Sequence, residues 1–146
     1  MNKFLMTLTG AVMAATIIVM PSMAEKKDAP SEIAGATTVD AERVIEIIDE
    51  MDDLVLIDAR KAKDFIAGHI DGSINIVSTD VNADTLGAAL AAKDTPVLFY
   101  CNGVKCGRSS VASTAAVAAG YTNVFYYWKG MGEWKEQGLP VVTGKE

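Results

Sequence analysis

The chemistry-bearing stretch of this sequence is Pro96-Val-Leu-Phe-Tyr-Cys101-Asn-Gly-Val-Lys-Cys106-Gly-Arg108-Ser109-Ser110. A short apolar run ends in a cysteine, a glycine-bearing loop follows, and an alanine-rich stretch then reads as a helix. A cysteine at such a corner faces loop N–H groups and the positive end of a helix. Both favour an anion, and so favour thiolate over thiol. Cys101 is therefore the candidate nucleophile. Asn102, Gly103, Val104 and Gly107 contribute through their backbone, with Gly103 free to take positive φ so that N–H groups turn inward. Lys105 and Arg108 are the cations nearest the sulfur in sequence.

The second cysteine, Cys106, lies five positions on. Two cysteines in an exported protein usually mean a disulfide. A loop this short closes little chain entropy, so a bond here would add little stability. A redox or catalytic reading of the pair is preferred to a staple. Cys106 is left between three roles: attacking a group carried on Cys101, bonding to Cys101, or filling space. A metal site is disfavoured. The spacing is C-x4-C, the only histidine is His69, and there is no second ligand pair. No cofactor is expected.

Lys3, the uncharged run from Phe4 to Met20 and the small-x-small signal Ser22-x-Ala24 read as a secretory signal peptide cut after Ala24. In a bacterium this implies the periplasm, with no stable membrane association after cleavage. The chain carries 19 acidic against 13 basic residues, a net charge of −6. Loss of Lys3 makes the mature chain more negative still. Such a surface repels phosphate backbones, so a nucleic-acid partner is not expected.

The elements that must position the cysteine follow from pattern. Residues 25–36 read as a flexible leader. Thr37-Thr38-Val39 is a strand candidate. Asp40 caps a helix over Ala41–Met51, with Val44, Ile47, Ile48 and Met51 on one face. Leu54–Asp58 and Pro96–Tyr100 are continuous apolar runs, as in strands buried on both faces of a parallel sheet. Further strands are expected over Ser73–Val77 and Asn123–Trp128. Further helices are expected over Lys61–Ala67, Asn82–Ala92, Arg108–Ala119 and Met131–Gln137. The alternation predicts an α/β three-layer sandwich, mostly parallel, with helices on both faces. In such sheets the reactive site lies at the carboxyl ends of strands, where Cys101 falls.

Three segments resemble the rhodanese family in order and spacing. Leu56-Ile-Asp58-Ala-Arg60 with Gly68-His69-Ile70-Asp71-Gly72-Ser73-Ile74-Asn75-Ile76 resembles its "IDxR" strand end and "GHIxGAxNI" turn. Val97–Cys101 with Gly107-Arg108-Ser109-Ser110 resembles its active-site strand, loop and helix. Gly130-Met131-Gly132-Glu133-Trp134 with Gly138-Leu139-Pro140-Val141 resembles its C-terminal "GG…W…GxPV" segment. The resemblance spans residues 37–142, leaving 143–146 as a tail.

The resemblance implies a rhodanese-like fold and a sulfurtransferase. Cys101 would take sulfane sulfur from a donor such as thiosulfate, become a persulfide, and pass the sulfur to cyanide or a thiol. Residues 102–108 would bind the substrate, with Arg108, and less definitely Lys105, receiving the sulfonate. It gives Asp58, Arg60 and His69 structural roles, tying loops to the sheet. Two departures stand out. Cys106 occupies the sixth loop position, where the family often has arginine, and Met131 replaces the second "GG" glycine. A loop of usual size, with Gly107-Arg108-Ser109 opening the helix, is preferred to an enlarged one. Three other readings compete: a dithiol–disulfide redox protein, a phosphatase- or arsenate-reductase-like enzyme, and a non-enzymatic binding module. The protein acceptor of sulfur, if any, is not named by the sequence.

Overall fold

The computed structural model describes residues 26–144. The expected signal peptide, residues 1–24, and the end of the tail lie outside the described residues. Five strands, β1 (Ala36–Val39), β2 (Val55–Asp58), β3 (Ile74–Asn75), β4 (Val97–Tyr100) and β5 (Val124–Tyr127), form one sheet. Its order is β1-β5-β4-β2-β3, and every pairing is parallel. The helices are α1 (Ala41–Glu50), α2 (Ala62–Ala67), α3 (Ala83–Ala89), α4 (Arg108–Ala118) and α5 (Gly130–Glu136), with a 3-10 turn over Ser78–Asp80. Elements fall where the sequence pattern puts them, with most ends trimmed by one to three residues and β1 and α5 each starting one residue earlier. Asp40 caps α1 by accepting from the Arg43 N–H.

β4 and β5 are buried at every residue, which is why their sequences are apolar without alternation. Leu98, Tyr100, Phe125 and Tyr127 pack with Val44 and Ile47 of α1 and Met131 and Trp134 of α5. Val97, Phe99 and Val124 pack with Leu86 of α3 and Ala112 and Ala116 of α4. These are the two faces of a three-layer sandwich. The α/β class and the helices on both faces are as expected, and the sheet is wholly rather than mostly parallel.

The topology locates a site before any side chain is considered. The chain leaves β2 for β3 on one side, and leaves β4 for β5 on the other. Adjacent strands with connections diverging at their carboxyl ends open a crevice there. Asp58 pairs in register with Tyr100, and Tyr100 with Tyr127, so these strand ends are level. Cys101 is the next residue at the centre of that edge.

The flexible leader expected over residues 25–36 is a correction. Ala29 N–H donates to the Val104 carbonyl at 2.7 Å. Trp128 Nε1–H donates to the Ala29 carbonyl at 3.0 Å, and the Tyr126 hydroxyl donates to the Pro30 carbonyl at 2.8 Å. Asp28 pairs with Lys105. The physical reason lies in β5 and the residue after it. Tyr126 and Trp128 have polar tips that need acceptors when covered, and the leader backbone supplies them. The C-terminal Leu139–Val142 stretch is also anchored, by an antiparallel bridge between His69 and Val142.

Candidate active site

Cys101 directly follows β4 and is 1% exposed. Its backbone is pinned from the far side of the sheet edge. The Cys101 carbonyl accepts from Met131 N–H at 2.9 Å, and the Asn102 carbonyl from Gly132 N–H at 2.8 Å. This packing needs glycine at 130. The residue has φ +52°, and an added Cβ would stand 2.3 Å from the Cys101 oxygen. Met131, the departure from the family's second glycine, points into the core beside Trp134.

The loop turns tightly. Cys106 N–H donates to the Gly103 carbonyl at 2.8 Å. Gly103 has φ +155°, the positive value anticipated for it. Gly107 is the N-cap of α4 and Arg108 its first residue, which gives the loop of usual size rather than the enlarged one. Cys101 and Cys106 are joined in a disulfide, with Cα atoms 6.3 Å apart. The thiolate expected at Cys101 is therefore absent in this oxidised state, and one can form there only on reduction. Cys106 is the more open sulfur, half-buried where Cys101 is sealed. An Arg108 guanidinium nitrogen lies 3.9 Å from Cys106 Sγ.

Over the loop opens a cleft of about 750 Å³. All of Asn102, Gly103, Val104, Lys105, Cys106, Gly107 and Arg108 line it, so the structure brings the whole predicted set together apart from buried Cys101 beneath. Lys26, Lys61 and Lys63 join them, with Asp64 as the acidic member. A chain of net charge −6 thus gathers five cations on one rim. Lys61 and Lys63 were not singled out in the sequence. The available signal was their place directly after the β2 strand end, at the same sheet edge as Cys101. Lys105 is engaged with Asp28, so its charge faces both the cleft and the leader.

Behind the loop sits a buried polar frame. Arg60 and Asp58 form an ion pair with side chains 3% and 0% exposed. Arg60 also donates to the Gly68 carbonyl at 2.7 Å and to Asn102 Oδ1 at 3.3 Å. Burial alone would lower the Arg60 pKa, but the hydrogen bonds and charge of Asp58 outweigh it and raise the pKa above the ordinary value. Arg60 is therefore a structural tie, as expected, and it also reaches the loop, which the sequence did not foretell. The Tyr100 hydroxyl donates to Ser73 Oγ at 3.0 Å and accepts from Ile70 N–H at 3.2 Å. Its pKa is pushed well above the ordinary phenol value, chiefly by burial and then by the Asp58 charge. His69 stacks on Phe65 at 3.7 Å, with Nδ1 2.9 Å from the Phe65 carbonyl. It does not line the cleft. Among the described residues no cluster of His, Cys, Asp or Glu could hold a metal.

The sequence model of the Rhodanese-like domain matches residues 40–137. The chain belongs to the rhodanese-like domain family. It is 33% identical to Escherichia coli (strain K12) protein YibN over 120 residues, which cover 82% of this chain and 79% of YibN. Two solved structures share the fold of this rhodanese-like domain. BH2092 from Bacillus halodurans superposes with a TM-score of 0.65 at 23% identity, covering 74% of this chain and 77% of that one. The human single-domain sulfurtransferase TSTD1 gives a TM-score of 0.58 at 23% identity, covering 70% and 97%. In this rhodanese-like domain the sheet's switch point, the sealed cysteine and the cationic rim coincide.

Proposed function

We propose that this protein is an exported sulfurtransferase. In the reduced state the Cys101 thiolate attacks the sulfane sulfur of a small donor such as thiosulfate. A Cys101 persulfide anion forms, sulfite leaves with the S–S bonding electrons, and charge is conserved. A thiophilic acceptor, cyanide or a thiol, then takes the outer sulfur and returns the thiolate. The observation that carries this reading is a cysteine buried directly beneath a cleft rimmed by Lys61, Lys63, Lys105 and Arg108. A dianionic donor is drawn to such a rim. Arg108 can grip a sulfonate with two parallel N–H bonds. The N-terminal dipole of α4 stabilises the sulfur anion in each state. A structural neighbour, the human single-domain sulfurtransferase TSTD1, supports this chemistry by analogy.

The test is incubation of reduced protein with thiosulfate, followed by intact-mass analysis and assay of cyanide-dependent thiocyanate. One added sulfur on Cys101 in a Cys106→Ser protein, which has no second thiol to discharge it, and thiocyanate release by the wild type, both lost in Cys101→Ser, is the expected result. No sulfur uptake by Cys106→Ser from thiosulfate or inorganic polysulfide, with no sulfite released, overturns the reading.

A second reading has its own observation. The Cys101–Cys106 disulfide favours a dithiol–disulfide redox protein, as export to an oxidising space would. Reversible thiol exchange with no sulfur uptake would select it. We place the mature protein in the periplasm. Recovery of the activity in osmotic-shock fluid, and loss of residues 1–24 from the purified chain, are the expected results.

A further inference from the structure

We propose that Cys106 is a resolving cysteine that converts the sulfur carried on Cys101 into free hydrosulfide. This rests on the sulfurtransferase reading and adds a second, reductive outcome to it. Four observations point the same way. The two cysteines are bonded to one another, so the loop brings Cys106 Sγ into bonding contact with Cys101 Sγ. Their Cα separation of 6.3 Å lies within the range that bridged cysteines span. The bond closes too short a loop to be a staple. The two sulfurs also differ in access, with Cys101 sealed beneath the loop and Cys106 on the open cleft beside the Arg108 guanidinium. A neighbouring cation favours sulfur in its thiolate form.

The step balances. Cys106 sulfur attacks Cys101 Sγ, the inner sulfur of the persulfide. The Cys101–outer-sulfur bond breaks, and the outer sulfur leaves with both electrons. The Cys106 thiol proton passes to it, so one persulfide anion and one thiol become one disulfide and one hydrosulfide anion. The sulfane sulfur is reduced and the two cysteines are oxidised. An external dithiol then attacks the accessible Cys106 sulfur, expels Cys101 as thiolate, and closes its own disulfide to release Cys106. Attack falls on Cys106 because it is the accessible sulfur, and its bonded partner Cys101 is then the group expelled. Attack by a tethered neighbour needs no collision, so it competes with transfer to a dilute external acceptor.

The experiment uses the protein reduced with a dithiol, freed of it, and kept free of oxygen. Thiosulfate is added without cyanide or thiol. Sulfite, hydrosulfide and intact mass are then followed in the wild type and in Cys106→Ser. The wild type is expected to release one sulfite and one hydrosulfide per chain and to end as the disulfide, lighter by two hydrogens. Cys106→Ser is expected to release sulfite, keep the extra sulfur atom and release no hydrosulfide. Two results overturn the inference: a wild type that stays persulfidated with its second thiol free, or equal hydrosulfide from both proteins. Either leaves the sulfurtransferase reading standing. No sulfite and no added sulfur in either protein removes that reading, and the inference with it. The wild-type stoichiometry decides the matter even if the variant folds poorly.

Discussion

Gly130→Ala is the sharpest test of how Cys101 is held. The new Cβ would lie 2.3 Å from the Cys101 oxygen, where real contacts stay beyond about 3.0 Å. The helix start or the Cys101 peptide must therefore shift by about 0.7 Å, the difference between those two distances. Three terms add. Alanine in the left-handed region at φ +52° costs about 1–2 kcal/mol. Disturbing the bonds from Met131 N–H and Gly132 N–H to the carbonyls of Cys101 and Asn102 costs about 0.5–1.5 kcal/mol each. The total of about 2–5 kcal/mol is a large share of a domain stability of about 5–15 kcal/mol. Gly138→Ala is the matched control. It has φ +70° and nothing within 4 Å of an added Cβ, so it carries the backbone term alone. Urea unfolding with unchanged m-values is expected to separate the two variants by at least ~1 kcal/mol. Moving the Cys101 peptide also moves the sulfur, so thiocyanate formation is expected to fall by about 100-fold in Gly130→Ala and to hold in Gly138→Ala. Equal stability losses would refute the claim that residue 130 buttresses the Cys101 backbone.

Arg60→Met leaves the Asp58 carboxylate buried without its cation and is expected to cost about 3–5 kcal/mol. Adding Asp58→Asn should restore part of that loss in a double-mutant cycle read by urea midpoints. Tyr100→Phe removes an acceptor from Ile70 N–H and a donor to Ser73, with an expected cost of about 1–3 kcal/mol at neutral pH. The Tyr100 pKa is raised in the fold, so its stabilising contribution is present below the unfolded phenol pKa, about 10. It is lost as pH rises from there toward the folded value. The phenylalanine variant should accordingly lose about 1.4 kcal/mol less per pH unit across that alkaline range, measured by urea titration at successive pH values. Trp128→Phe deletes the indole bond to the Ala29 carbonyl. Faster limited proteolysis within residues 26–35, with little change in global unfolding, is the expected result.

The alternation of apolar runs with helical patterns made the α/β sandwich legible in the sequence, because helix period, caps and buried-strand composition are local signals. The loop and its cysteine were legible for the same reason, as a strand end followed at once by a helix start. What lay beyond reach were approaches between segments distant along the chain. Arg60 meets Asn102, Ala29 meets Trp128, and Gly130 meets Cys101. None of these follows from spacing, because each depends on strand order and register. The leader illustrates the point. Its charge and small residues suggest a free segment, yet the polar tips of Tyr126 and Trp128 draw its backbone in.

The sequence by itself therefore determined the cysteine at a strand end and the sheet edge that carries it, while the start of α4 at Arg108 decided between the two loop lengths. The tertiary structure decided that Cys106 bonds to Cys101, that Lys61 and Lys63 join the rim, and that α5 backs the sulfur's peptide. The reason is physical. Hydrogen-bonded elements are set by neighbours a few residues away, whereas a site's charge and contacts are set by whichever loops the strand order gathers at one edge.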